Sequence, residues 1–180
     1  MAGAALLALL SPAVSNWLIY DRLLLFRGQV WRAWTGHIVH FGSSHLLWDV
    51  VVFLPAGCWL EYRWPSMARW FYLVCPLGIS GALLLLEPTL QRYAGLSGLA
   101  TGTLVLLAAL QLQRTKEEPA WFWICVLALV GAKIGTELFT GAPLMVTDFV
   151  GIRSVPLAHI GGAGCGLIFW LLGRVRPGRL

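Results

Sequence analysis

The sequence predicts an all-α fold: a polytopic membrane bundle of six helices, with an interfacial loop between helices 1 and 2. Three observations predict it. Of 180 residues, 58% are hydrophobic and only 12% charged, with a mean hydropathy of +0.76, too apolar for an ordinary water-soluble domain. The apolar residues form continuous runs such as Leu99 to Leu110, unlike the short alternating segments of a β-barrel. A hydrocarbon core about 30 Å thick takes roughly 20 helical residues per crossing, so this length holds about six spans joined by short loops.

The first span is read at 3–20. Met1 to Trp17 lacks the basic leader of a secretory signal, although Ser11-Pro12-Ala13-Val14-Ser15 resembles a cleavage site. Retention is expected, because loss of this span would leave the C-terminus on the outer side. The loop Asp21 to Ser44 follows, rich in Trp, Arg and His. Trp31, Arg32 and Trp34 suit a segment lying in the membrane surface, with rings at headgroup depth and guanidinium groups reaching water. Further spans are read at 45–61, 70–86, 97–113, 120–140 and 157–173, making residues 1–180 one domain without repeats.

Lys and Arg place Arg63, Arg69, Arg114, Lys116, Arg174, Arg176 and Arg179 on one side, against Arg22, Arg27, Arg32, Arg92 and Arg153 on the other. The basic C-terminal tail sets both termini in the cytoplasm. The formal net charge of +5 sits at segment ends, which speaks for membrane topology and against nucleic acid. Cys58, Cys75, Cys125 and Cys165 are scattered singly through apolar segments and read as packing residues.

Alternating crossings put the starts of spans two, four and six at one membrane face. Those starts carry His45, Ser97 and His159. Ser97, in Gly95-Leu96-Ser97-Gly98, is either a small residue that lets two helices touch or a nucleophile that something must approach closely. Serine needs a base within hydrogen-bond reach, and His159 is the candidate. Gly162 and Gly166 follow it on one helical face as a small-xxx-small groove, while Gly95 and Gly98 thin the Ser97 side. A close approach of spans four and six would then let hydroxyl and imidazole meet.

Acyl transfer also needs donors aimed at the developing oxyanion. His45 and Asp49 stand i, i+4 on span two. His45 can donate. An ionised Asp49 accepts but does not donate, so it is expected either to be protonated or to orient His45. Lys133 and Glu137, also i, i+4, are costly in lipid; they read equally as a self-neutralising pair facing the bundle or as a contact for an entering substrate segment. The spacing of His37, His40 and His45 does not match a metalloprotease helix, and no metal or other cofactor is expected. A channel would need polar residues through the full bilayer depth, whereas here they gather toward one face.

These residues carry a resemblance. Val30-Trp31-Arg32 with Thr35, His40-Phe41-Gly42-Ser43-Ser44-His45, Glu61 with Arg63, Gly95-Leu96-Ser97-Gly98, and Ala158-His159 with Gly162 and Gly166 resemble, in order, the motifs of rhomboid intramembrane serine proteases. The resemblance implies a Ser97–His159 dyad, an oxyanion hole of the Ser97 backbone N–H and His45, and a membrane-anchored protein as substrate. Asp49 stands where rhomboids often carry an asparagine donor, and Thr101 where many have a tyrosine against the histidine. Minimal size and His45-Leu46-Leu47-Trp48-Asp49 are most similar to the rhombosortase subgroup, which implies a bacterial inner-membrane enzyme cutting C-terminal Gly-Gly sorting signals near the outer face. The alternative is a non-catalytic rhomboid-like protein that binds transmembrane segments.

Overall fold

A computed structural model describes residues 11–114, 119–141 and 154–174. Among them α1 (Pro12–Leu18), β1 (Tyr20–Asp21), α2 (Arg22–Phe26) and α3 (Arg32–Thr35) lead into a single 3-10 turn at Gly36–Ile38. The long helices follow: α4 (Ser43–Arg63), α5 (Pro65–Leu86), then β2 (Arg92–Tyr93), α6 (Ser97–Arg114), α7 (Ala120–Thr140) and α8 (Pro156–Arg174). α4, α5, α7 and α8 are long and apolar enough to cross a membrane; the apolar stretch Ser97–Gln113 of α6 is shorter. The expected spans coincide with these five helices, except that α5 begins at Pro65, where proline suits the first helical turn and its lost N–H costs nothing. Residues 3–10 of the expected first span lie outside the described residues; Ser11 is extended and caps a separate seven-residue helix, α1, whose first residue is Pro12, so the expected span 3–20 is not one continuous helix.

α6 is the centre of the bundle. Leu99, Leu106, Leu107 and Ala108 are buried, and the helix packs against α4, α7 and above all α8. The reason is a seam of glycines. A methyl group on Gly98 would stand 2.7 Å from the Ala158 carbonyl oxygen, and one on Gly102 or on Gly166 would stand 2.5 Å from the carbonyl oxygen of Gly162 or Gly102. One on Gly162 would overlap the Gly98 carbonyl. Side chains at these positions would drive the two helices apart, so bare backbone is what allows the contact.

The segment before α4 is folded, and here one expectation fails. Arg32 does not reach water: it is 3% exposed, with Nη1 donating to the carbonyls of Asn16 (2.9 Å) and Ile19 (2.7 Å) and Nε to Gln29 (2.7 Å). Those carbonyls belong to the C-terminal end of α1, where backbone acceptors lack helical partners and the helix dipole favours a cation. Trp31 keeps the expected exposure and stacks on Trp17 at 5.1 Å. Trp34 instead ties the segment to α5, its indole N–H donating to the Tyr72 carbonyl (3.3 Å).

Gly162→Ala is expected to lower the thermal unfolding midpoint in detergent, by an overpacking penalty on the order of 1–3 kcal/mol. Gly135→Ala, where an added methyl meets nothing within 4 Å, should leave it unchanged or slightly raised. Equal midpoints for the two variants would rule out the seam as the constraint on α6 and α8.

Candidate active site

The turn that delivers Ser97 is fixed before the helix begins. Tyr93 pairs antiparallel with Tyr20, and Arg92 with Asp21, so the chain leaves β2 in a set direction. The Gly95 N–H donates to the Gly36 carbonyl (3.3 Å), and the Tyr93 hydroxyl donates to the Gly95 carbonyl (3.0 Å). Burial, with the Asp49 carboxylate nearby, raises the Tyr93 phenol above its ordinary range and keeps it a donor. Gly95 itself has φ +138, a conformation open to glycine, and a methyl there would strike the His45 ring 2.8 Å away. Gly95 therefore faces His45 and not α8, contrary to the expectation that it thins the α6–α8 contact; Gly98, with Gly102 one turn on, does that on the Ser97 side.

Ser97 is the first residue of α6, and the next turn's Ala100 N–H already bonds to the Leu96 carbonyl (2.8 Å). The N–H groups of this first turn have no carbonyl partner within the helix and point where an anion would be stabilised. His159, in the first turn of α8, is 4% exposed, and its Nε2 is hydrogen-bonded to Ser97 Oγ at 3.0 Å. The glycine seam makes this contact possible by bringing the two helix starts together. Thr101 spends its hydroxyl proton on its own helix, donating from Oγ1 to the Ser97 carbonyl (2.8 Å).

Asp49 stands on α4 behind the turn. Its Oδ2 accepts from the Leu96 N–H (2.8 Å), is hydrogen-bonded to His40 Nε2 (3.0 Å) and lies 3.4 Å from His45 Nε2. Through Oδ2, Asp49 is thus an acceptor that anchors the residue before Ser97. His45 Nδ1 has no partner among the described residues, which leaves one ring nitrogen with unused hydrogen-bonding capacity. His37 does not line the site: it is fully buried, bonded through Nε2 to Ser80 Oγ (3.0 Å), and burial pushes its imidazole down to about 4. Because Ser80 donates to the Ala33 carbonyl (2.6 Å), the neutral His37 donates to Ser80.

Lys133 and Glu137 meet as their spacing predicts, with Nζ 2.7 Å from Oε1. The structure adds a contact that sequence reasoning missed: Oε2 of Glu137 lies 2.7 Å from Nδ1 of His159. One signal was available, since Glu137 sits at the end of its span and thus at the face where Ser97, His45 and His159 begin theirs. Ser97, His159, His45, Lys133 and Glu137 all border one cavity of about 1070 Å³. Trp48 and Val52 of α4 and Leu129 and Val130 of α7 also line it, while Trp59 and Trp123 bring the same two helices together with rings 5.3 Å apart. The cavity lining is mostly apolar.

Fold and site together define a class: a helical membrane protein whose bundle holds a half-buried serine hydrogen-bonded to a buried histidine beside a mostly apolar cavity. Residues 27–175 match the Rhomboid domain, and the chain belongs to the rhomboid family, whose members are in general intramembrane serine proteases. No curated protein matches the chain.

Asp49→Ala leaves the buried Leu96 N–H without an acceptor and is expected to destabilise the fold by about 1–3 kcal/mol. Asp49→Asn, whose amide oxygen still accepts, should recover most of the loss. Thermal unfolding in detergent measures both, and an Asp49→Ala midpoint equal to the parent's would exclude the anchoring role.

Proposed function

We propose that the protein is an intramembrane serine endopeptidase in which Ser97 is the nucleophile and His159 the general base. The observation that carries this reading is the 3.0 Å contact between Ser97 Oγ and His159 Nε2 at the border of an apolar cavity. Such contact is what converts a weakly nucleophilic hydroxyl into an attacking group. In the first step the Ser97 proton passes to His159 Nε2 as Oγ bonds to the substrate carbonyl carbon. The oxyanion is held by the Ser97 N–H at the start of α6 and by His45. His159 then protonates the leaving amine, the C–N bond breaks, and an acyl-enzyme remains. Water attacks it, gives its proton to His159, and Ser97 is regenerated.

The occupant of the cavity is read as part of a membrane-anchored protein. Its lining is apolar enough for a transmembrane segment, and the polar groups in contact with Ser97 and His159 suit the scissile bond. With six crossings and cytoplasmic termini, the site lies toward the outer face of a bacterial inner membrane. The similarity to rhombosortases makes a C-terminal Gly-Gly sorting signal the substrate of choice, and two glycines suit a nucleophile enclosed by helix backbone. A rhomboid-like protein that only binds membrane segments would need the cavity but not the hydroxyl–imidazole contact.

Purified protein should cleave a Gly-Gly-tailed membrane-anchored reporter and label at Ser97 with a fluorophosphonate. Ser97→Ala and His159→Ala should each abolish cleavage with unfolding midpoints retained, and His45→Ala should reduce it by about 10²- to 10³-fold. Cleavage persisting in Ser97→Ala or His159→Ala would end the protease reading. Retained binding of the reporter without cleavage or labelling in the parent protein would establish the binding-only alternative.

A further inference from the structure

The mechanism above uses one nitrogen of His159, and the other faces a carboxylate that α7 has no packing reason to supply. Of the side chains of α7, only Trp123 and Glu137 are buried. Glu137 is 2% exposed, a costly placement in a membrane unless the charge is partnered for a purpose. We propose that Glu137 is a positioning residue that turns the Ser97–His159 pair into a three-membered Ser–His–Glu relay, with Lys133 as the counter-ion of its carboxylate. The proposal rests on the reading of Ser97 and His159 as nucleophile and base.

A neutral imidazole has one N–H and one lone pair. To take a proton from Ser97, Nε2 must be bare, so the ring proton must sit on Nδ1. A carboxylate accepts and does not donate, so Glu137 Oε2 at 2.7 Å selects that tautomer. At rest the contact has ion-pair distance without in-line hydrogen-bond geometry. Bonds of this kind commonly tighten only when substrate is bound. Once the Ser97 proton reaches Nε2, the ring is a cation with two donors, and the carboxylate holds it until Nε2–H is given to the leaving amine. Glu137 takes no proton at any step.

The other neighbours do not fill this role. Lys133 Nζ is 3.3 Å from Nε2 and 3.5 Å from Nδ1, nearly equidistant, so it lies along neither lone pair and addresses Glu137 instead. Thr101 is spent on the Ser97 carbonyl. His45 and Asp49 approach from α4, where Asp49 is engaged with Leu96 and His40. Glu137 is the acceptor that Nδ1 meets.

Two measurements test the relay. In the reporter assay, Glu137→Gln is expected to lower kcat by about 10²- to 10⁴-fold with KM within about threefold, and to slow fluorophosphonate labelling of Ser97 in parallel. Lys133→Met, which keeps the carboxylate, should fall between the parent and Glu137→Gln; a larger loss would pass the role to Lys133 and overturn the proposal. In the parent protein, ¹⁵N-histidine spectra, with His159 assigned by its absence from His159→Asn, should show the neutral ring protonated on Nδ1. Protonation on Nε2, or a Glu137→Gln kcat within about threefold of the parent's, overturns the relay, and the spectra decide even if that variant does not fold. Cleavage persisting in Ser97→Ala or His159→Ala would instead sink the protease reading itself.

Discussion

Direct contact between the backbones of α6 and α8 is the constraint on which the remaining structure depends. Helices in lipid gain little from burying apolar side chains against one another, since lipid tails are equally apolar. What they gain is dispersion at close range, and that requires small residues. Gly98, Gly102, Gly162 and Gly166 each abut a carbonyl of the facing helix, that of Ala158 for Gly98 and of one another for the rest, so the register of α6 on α8 is set by four positions. That register sets the height of Ser97 against His159, because both lie at the starts of these helices. A shift by one turn would move either side chain about 5.4 Å along its axis and end the 3.0 Å contact.

The seam fixes the height of Ser97, but a second set of interactions fixes its direction. The two-residue ladder between Tyr20 and Tyr93, the Gly36 carbonyl, the Tyr93 hydroxyl and Asp49 all hold the chain just ahead of α6. The segment that provides Tyr20 and Gly36 is itself secured by arginines placed at helix C-termini. Arg32 serves α1, and Arg22 donates from Nη2 to the Leu84 carbonyl near the end of α5 (2.9 Å). These two side chains answer local backbone acceptors. Such arginines weigh in a count of loop charges although their task is capping, which explains why charge asymmetry gave only a modest orientation signal.

The helices were legible because continuous apolar runs have few alternatives in a chain this poor in charge. The common depth of His45, Ser97 and His159 was legible for a simpler reason: alternating crossings are a matter of counting. What stayed hidden were contacts that depend on rotation about a helix axis or on an irregular chain path. Spacing paired Lys133 with Glu137, yet no spacing within one helix reveals that the far side of the carboxylate meets His159 on another. Likewise, Asp49 stood i, i+4 from His45, and its stronger ties run to Leu96 and to His40. Arg32 was assigned to water because loops are usually solvated, whereas this loop is packed and Arg32 is buried, as is His37.

α7 joins these observations. It is the long helix with the fewest buried side chains, and its contact with α8 is slight beside that of α6. Trp123 seats it against Trp59, and Glu137 seats it against His159. Between these two points Val126, Leu129 and Val130 border the cavity. A helix with few buried side chains can yield to an incoming segment at lower cost than one buried along its length, because fewer apolar contacts are broken. If one of those points is also the group that orients the imidazole, movement of α7 and readiness of the base are a single variable. An entering segment that displaced Glu137 would loosen His159 before it reached Ser97, and one that left the contact intact would meet the pair already aligned.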